Sequence, residues 1–346
     1  RRGVLVNLKE IAKAAKVSPS TVSLVLNDKG GVSPRTREHV ATLLCENGYN
    51  INYHKPEVQQ KSIRFLKYSR HSHLVNGNAG FVSAIIDAVE KETRLLGYNL
   101  VMTVFGENNI SEVFDLVRNQ PLCGIILLAT EMEEADYAYL HDIPVPIVVV
   151  DNYMDFHSFN CVDMNNTEST FAAVRHLAGL GHPRIGYLYN KMPSSNCRAR
   201  RAAYEAALRS LGIPYDPALV YPMHPTLSGS YEDTLNMLRQ GVSFPSALVA
   251  TNDSIAIGAV KAFKESGIRV PGDVSVIGFD DIPFSAIADP PLTTMKVSCK
   301  DIGMWAVRLL CDRIDYPDSP VAKIQIGAQL IVRESTGPYR KNTTDE

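Results

Sequence analysis

The sequence predicts two fold classes in one chain: an all-α head built on a helix-turn-helix, followed by an α/β body of two lobes with parallel, doubly wound sheets. Three observations carry this. Residues 7–27 run through an apolar pattern of helical period twice, with a break between the two runs. From Ile63 onward, short apolar runs alternate with amphipathic stretches, the pattern of strands buried on both faces and covered by helices. The length of 346 residues leaves room for two or three domains with substantial cores.

In the head, Leu8, Ile11, Ala12 and Ala15 fall at i, i+3, i+4 and i+7 and define the buried face of a first helix. The pattern restarts after Val17. Ser18 is a good N-cap, Pro19 sits where a missing N–H costs nothing, and Val22, Val25 and Leu26 supply the second buried face. After the Gly30-Gly31 turn, Ser33 and Pro34 open a third helix with Val40, Leu43 and Leu44 inward, and Asn47-Gly48 closes it. Pro19, Ser20, Thr21, Ser23, Leu24 and Asn27 are then expected to face outward on the second helix. Asn7, Thr36 and Tyr49 flank them. Small polar groups on such a helix permit close approach to base edges and phosphates in a DNA major groove. The plainer alternative is a capped Ser/Thr-rich helix that binds nothing.

Charge separates the two parts. Residues 1–62 hold ten Lys/Arg against five acids, whereas the remainder holds 25 basic and 32 acidic residues, although the whole chain is only −2. A basic head on an acidic body confines phosphate attraction to the head.

In the body, strands are expected at Ile63–Tyr68, Leu100–Val104, Gly124–Ala129, Val145–Val150, Arg184–Leu188, Ala247–Thr251 and Val274–Phe279. Helices are expected at Phe81–Leu96, Ser111–Asn119, Thr167–Leu180, Arg198–Leu211, Ser230–Arg239 and Ser254–Ser266. Two runs of such units favour two lobes over one barrel, with the break at Asn160–Asn166. A further strand (Thr293–Val297), a helix (Asp301–Arg313) and a terminal strand pair near Lys323–Val332 close the chain. Ligands of open α/β sheets bind beyond the C-terminal strand ends. There the sequence places Asp151, Asn252-Asp253 and Asp280-Asp281, groups suited to gripping hydroxyls. Any one of them could be only a helix cap, a role expected for Asp253.

The run Leu-Lys-Glu-Ile-Ala-Lys-Ala-Ala at 8–15, Val-Ser-Pro-Ser-Thr-Val-Ser at 17–23, Val-Ser-Pro-Arg-Thr-Arg at 32–37 and Gly-Tyr at 48–49 resembles the lactose-repressor (LacI/GalR) family of transcription regulators. The likeness continues through the body, which resembles periplasmic sugar-binding proteins. It implies a DNA-binding domain at 1–49, a hinge or linker at 50–62, and an effector-binding and dimerisation domain at 63–340. The N-lobe is expected at about 63–162 and 291–320, and the C-lobe at about 163–290 and 321–340. It also implies Asp151, Arg200, Asn252 and Asp280 as effector ligands, with Tyr68 or Phe81 stacking on a sugar. Position 299 is Cys rather than the aromatic of some relatives, and Ala203 stands where the family's arginine motif has Gly. Two departures concern DNA: Leu24 offers only apolar contact, and Pro56 interrupts the family's hinge segment, with Val58 the nearest wedge. The loop Tyr68-Ser69-Arg70-His71-Ser72-His73 is basic, which fits either an acidic effector or a solvated loop.

These features imply a cytoplasmic, homodimeric, allosteric repressor that binds a palindromic double-stranded operator and answers to a small effector, a sugar or sugar derivative. A sugar-binding protein or sugar-modifying enzyme with an appended helical domain is the alternative. No Gly-x-Ser-x-Gly, phosphate-binding Gly-Lys-Ser/Thr loop, Gly-x-Gly-x-x-Gly or His-Glu-x-x-His occurs, so no enzyme, cofactor or metal is expected. The six cysteines are scattered and read as buried small hydrophobes in a reducing compartment. No stretch reads as a signal peptide or membrane span, and the tail at 337–346 lacks leucine heptads.

Overall fold

A computed structural model describes residues 7–27, 29–49, 51, 61–70, 79–192 and 194–341. The chain divides into two units, Arg1–Gln60 and Lys61–Glu346.

The first unit holds α1 (Leu8–Ala14), α2 (Pro19–Leu26) and α3 (Pro34–Glu46). Each is started by a side-chain cap: Asn7 accepts from Lys9 N–H, Ser18 from Thr21 N–H, and Ser33 from Thr36 N–H. The three apolar stripes meet in a core of Ile11, Ala12, Ala15, Val22, Val25, Val40, Ala41 and Leu44, with Leu8, Leu26 and Leu43 half-buried around it. Lys16, with φ 55°, turns the chain between α1 and α2.

The second unit contains two six-stranded sheets. The first is ordered β11-β5-β4-β3-β1-β2, from β1 (Ser62–Tyr68), β2 (Asn99–Phe105), β3 (Gly124–Leu128), β4 (Ile147–Val150), β5 (Asn160–Met164) and β11 (Lys323–Ile326), all parallel. The second is ordered β12-β10-β9-β8-β6-β7, from β6 (Ile185–Asn190), β7 (Val220–Met223), β8 (Ala247–Ala250), β9 (Ser275–Asp280), β10 (Thr293–Lys296) and β12 (Gln329–Ile331), with only β12 antiparallel. Helices α4 (Ala79–Leu95), α5 (Ile110–Arg118) and α11 (Cys299–Asp315) cover the first sheet. Helices α6 (Asn166–Gly179), α7 (Ser195–Ser210), α8 (Leu227–Arg239) and α9 (Asp253–Glu265) cover the second, with the short α10 (Pro283–Ile287) between β9 and β10. Apolar side chains fill both faces of each sheet, as the near-continuous apolar strands require. Gly303 lets α11 lie against α4: a Cβ there would stand 2.6 Å from that of Ala88.

Three features differ from the sequence reading. The segment at 160–164 is a strand, although Asp163 interrupts its apolar run, and Val220–Met223 is an edge strand despite Pro222. The lobe boundaries shift as well: Thr293–Lys296, expected in the N-lobe, pairs with β9, whereas Lys323–Ile326, expected in the C-lobe, pairs with β5. The expected terminal strand pair is therefore split between the two sheets. These last strands are short and half-exposed, so no apolar alternation specifies their partner in advance. Finally, of the six cysteines only Cys161 is buried, and Cys45 is exposed.

Candidate functional site

In the body the two sheets face a common cleft with the C-terminal ends of their parallel strands. In this structure the cleft is tight, with a volume of about 50 Å³. Asp151 follows β4, Thr130 follows β3, Asn190 ends β6, Thr251 and Asn252 follow β8, and Asp280 ends β9. Phe81 and Val82 come from the start of α4, and Ser194, Asn196, Cys197 and Arg200 from the first turns of α7.

Arg200 is 6% exposed and organises the floor. Its Nε donates to Asn166 Oδ1 (2.8 Å), Nη1 to the Thr251 carbonyl (2.6 Å) and Nη2 to Met164 Sδ (2.8 Å). Nη2 also lies 3.5 Å from Asp280 Oδ1, and the guanidinium sits 3.6 Å from the Phe279 ring centre. Asn166 in turn donates to Asn196 Oδ1 (3.0 Å), and Asn196 Nδ2 donates to Asp151 Oδ1 (2.7 Å). The second Asp151 oxygen accepts from the Thr130 hydroxyl. One polar chain therefore runs from the first sheet through α7 to the second.

Backbone strain marks the same positions. Asp151 has φ 62° and Asp280 φ 111°, in the region that side chains other than glycine rarely enter. Such strain persists only where the surroundings over-determine it and is concentrated at ligand clamps.

Burial raises the carboxyl pKa values. Desolvation, with Asp280 adding like charge, pushes Asp151 up to about 7 despite its hydrogen bonds. Asp163, beside it on β5, is fully buried. One of its oxygens accepts the Met164 N–H (2.8 Å) and the other has no partner; burial and then Asp151 hold its pKa well above the ordinary value. Asp253 is also pushed up to about 7, first by burial and then by Asp280.

Five of the six expected effector ligands meet in this cleft: Phe81, Asp151, Arg200, Asn252 and Asp280. Tyr68 does not. Side chains alternate along β1, which turns Tyr68 with Leu66 to the other face; there its ring packs edge-on against Phe105 at 5.2 Å and its hydroxyl accepts from Arg70 Nε (3.2 Å). The cap of α9 is Asn252, which accepts from Ile255 N–H (2.9 Å), and not Asp253 as expected. Asp253 instead accepts from the hydroxyls of Ser285 and Thr294 (both 2.6 Å) and from Ile282 N–H (3.0 Å). Gly278 makes room for it, since a Cβ there would lie 2.1 Å from Asp253 Oδ1. Arg70 is neither a free anion site nor solvated: Asp136 takes its Nη2 at 2.7 and 2.8 Å, with Glu133 at 3.2 Å. His71 and His73 lie outside the described residues, as do Pro56 and Val58.

Sequence reasoning missed Thr130, Asn166, Asn190, Ser194, Asn196 and Thr251. The strand-end rule could have found Asn190 and Thr130. Nothing local marks Asn166 or Asn196, whose roles depend on α6 and α7 packing side by side.

In the head, Asn7, Pro19, Ser20, Ser23 and Asn27 are exposed, Thr21, Leu24 and Thr36 are partly exposed, and Tyr49 is half-buried against the core. Thr21 and Ser20 lie 2.8 and 2.7 Å from Ser18 Oγ, while Asn27 Nδ2 donates back to the Ser23 carbonyl at 2.9 Å. Lys9, Lys13, Lys16 and Lys29 are exposed on the same unit.

The family model "Bacterial regulatory proteins, lacI family" matches residues 7–52, and the "Periplasmic binding protein-like domain" matches 174–336. Among curated relatives, the HTH-type transcriptional repressor PurR of Haemophilus influenzae (strain PittEE) is 28% identical over 343 residues, covering 96% of this chain and 98% of that protein. The ribose operon repressor of Haemophilus influenzae (strain ATCC 51907 / DSM 11121 / KW20 / Rd) is 27% identical, covering 96% and 98%. Among solved structures, the lac repressor dimer bound to operator and the anti-inducer ONPF has a TM-score of 0.73 at 27% identity, covering 96% of this chain and all of that one. The transcriptional regulator CelR–cellobiose complex has a TM-score of 0.72 at 25% identity, covering 95% and 99%. Among the described residues, no helix is long and apolar enough to cross a membrane, and no group of three or more His, Cys, Asp or Glu is arranged to hold a metal ion.

Proposed function

The chain belongs to the lacI family of bacterial regulatory proteins, and from that premise we propose how its own residues carry out effector-controlled DNA binding. It is a DNA-binding transcription regulator of the repressor type, not an enzyme, and it answers to a small molecule. The effector site is the body cleft, with Asp151, Arg200, Asn252 and Asp280 as its polar ligands and Phe81 as its apolar wall. The observation that carries this reading is the convergence of strand-end polar groups from both sheets on one strained, buried chain of hydrogen bonds.

The ligand is a sugar or a similar polyol. The lining offers donors and acceptors side by side from Thr130, Asn190, Asn196, Thr251 and Asn252, which matches a ring of hydroxyls. A ligand bridging the two sheets favours one lobe arrangement, and this preference is what couples the cleft to DNA.

On the head, Ser20, Ser23, Leu24 and Asn27 read base edges, while Asn7, Pro19, Thr21, Thr36 and Tyr49 meet the backbone beside the exposed lysines. The regulator acts in the cytoplasm as a homodimer on a two-fold operator. Apolar side chains exposed at the end of α4 and on edge strand β2 (Leu95, Leu96, Met102 and Val104) favour self-association, as do Phe284 and Ile287 on α10.

The test is fluorescence anisotropy on an operator selected from random duplex DNA. Binding is expected with the stoichiometry of a dimer, a steep salt dependence and a shift on adding an effector found by thermal-shift screening. Monomeric binding would refute the dimer reading. An effector whose binding survives both Arg200→Lys and Asp280→Asn would refute the cleft.

A further inference from the structure

Backbone strain is concentrated in the loop that leaves β4. Asp151 (φ 62°), Met154 (φ 50°) and Phe156 (φ 62°) all take the left-handed conformation, and none is glycine. At Met154 the strain faces a cation. In an extended chain successive carbonyls point to opposite sides. The left-handed turn at Met154 brings those of Tyr153 and Met154 round to the same side. Both accept from the ammonium of Lys323, at 2.9 and 2.7 Å, and that ammonium lies 4.7 Å from the Tyr153 ring centre.

Lys323 opens β11, where it pairs in register with Cys161 of β5. A lysine on such an edge strand ordinarily stays in water and guards the edge. Here it is half-buried, and its donors are spent on the strained loop. The hold passes back to Asp151 through Asn152, which is fully buried. Asn152 Oδ1 accepts the Met154 N–H (3.0 Å), and its Nδ2 donates to the carbonyls of Ala129 (3.1 Å) and Met132 (3.3 Å). Asn152 is thereby fixed from both sides, and the Asp151 carboxyl next to it meets Thr130 and Asn196.

Resting on the assignment of Asp151 as an effector ligand, we infer that Lys323 is a positioning residue of the effector site. It holds the Tyr153–Met154 turn closed and so presents the Asp151 carboxyl to the cleft, while lying outside the cleft lining itself. Gly327 and Ala328 alone join β11 to β12 in the other sheet, so the same lysine ties Asp151 to a crossing between the lobes.

The experiment compares Lys323→Met, which loses the donors, with Lys323→Arg, which keeps donors for both carbonyls. Hydrogen exchange of the full chain, read by mass spectrometry, tests the hold without a ligand. Amides of residues 152–157 are expected to exchange at least about tenfold faster in Lys323→Met and at the wild-type rate in Lys323→Arg, with those of β4 unchanged in both. Unchanged exchange at 152–157 in Lys323→Met overturns the inference. Acceleration that extends through β4 also overturns it, as the mark of general destabilisation.

Isothermal titration with the tightest binder from a panel of free mono- and disaccharides tests the consequence. Lys323→Met is expected to weaken binding about tenfold, or about 1.4 kcal/mol, and Lys323→Arg by less than about threefold. Asp151→Gly removes both the carboxyl and the strain at residue 151. In that background Lys323→Met is expected to add less than about twofold, and equal losses with and without the carboxyl overturn the positioning role. Sugar binding lost in Arg200→Lys and Asp280→Asn but unchanged in Lys323→Met removes the inference alone. Binding unchanged in all three variants removes the cleft assignment, and the inference with it.

Discussion

Replacing Asp163 with asparagine should stabilise the body above neutral pH and destabilise it in acid. Asp163 is fully buried, one of its oxygens has no partner, and Asp151 lies beside it. The folded chain keeps this proton above the ordinary value of 3.8, where the unfolded chain releases it. The native state then binds more protons, so stability is full below about pH 4 and falls as pH rises, by about 1.4 kcal/mol per unit while the proton is retained. Asp151 and Asp253 have the same sign; raised to about 7, each costs at most about 4 kcal/mol between pH 4 and 7. The asparagine side chain would keep the shape and still accept the Met164 N–H, but its amide would bring unpaired donors at about 1–3 kcal/mol, independent of pH. The two effects nearly cancel at pH 5. From there the difference should move in the variant's favour by up to about 1.4 kcal/mol, or roughly 3–6 °C in Tm, for each pH unit over which the wild type keeps the proton. Urea unfolding at pH 5, 6, 7 and 8 measures this through Trp305, the chain's single tryptophan, which lies on α11 and so reports the body. A stability difference between variant and wild type that is the same at pH 5 and pH 8 would refute the reasoning.

Arg200→Ala removes the donor to Asn166 Oδ1, the donor to the Thr251 carbonyl and the cation beside Asp280 together, so the body should lose about 3–5 kcal/mol along with effector binding; Arg200→Lys should restore part of the stability but not the affinity. Ser18→Ala removes the cap of α2 and should cost the head about 1 kcal/mol in thermal melts followed by circular dichroism. Lys13→Ala and Lys16→Ala should weaken operator binding evenly across sequences and lower the salt slope by about one each, whereas Leu24→Ala should change sequence preference instead. Val104→Lys with Met102→Lys on the exposed edge strand should shift the chain to monomer in light scattering without altering its melt.

Much of the architecture was legible because its causes are local. The helix pair at 8–26 follows from apolar residues three and four apart and from Ser18 one position before Pro19, interactions that close within a turn. Strand-end carboxylates were legible for a similar reason: a buried apolar run that stops at Asp151 or Asp280 places that residue at a sheet's edge. The cleft's second layer was not legible. Asn166 and Asn196 look like ordinary helix-start residues until α6 and α7 are packed side by side. The split of β11 from β12 was equally hidden, because only two residues, Gly327 and Ala328, separate strands that join different sheets.

The sequence by itself determined the class of the molecule: a capped three-helix head with a basic surface, and a body of alternating strands and helices with polar groups at the strand ends. These depend on period and on neighbours a few residues away. Only the tertiary structure decided which face Tyr68 takes, that Asn252 rather than Asp253 caps α9, and how much of Arg200 is already engaged. It also decided that Arg200 pairs with Asp280 and lies close enough to Asp151 to act on its charge. The energy of a buried charge depends on what distant segments bring to it, and no local pattern records that.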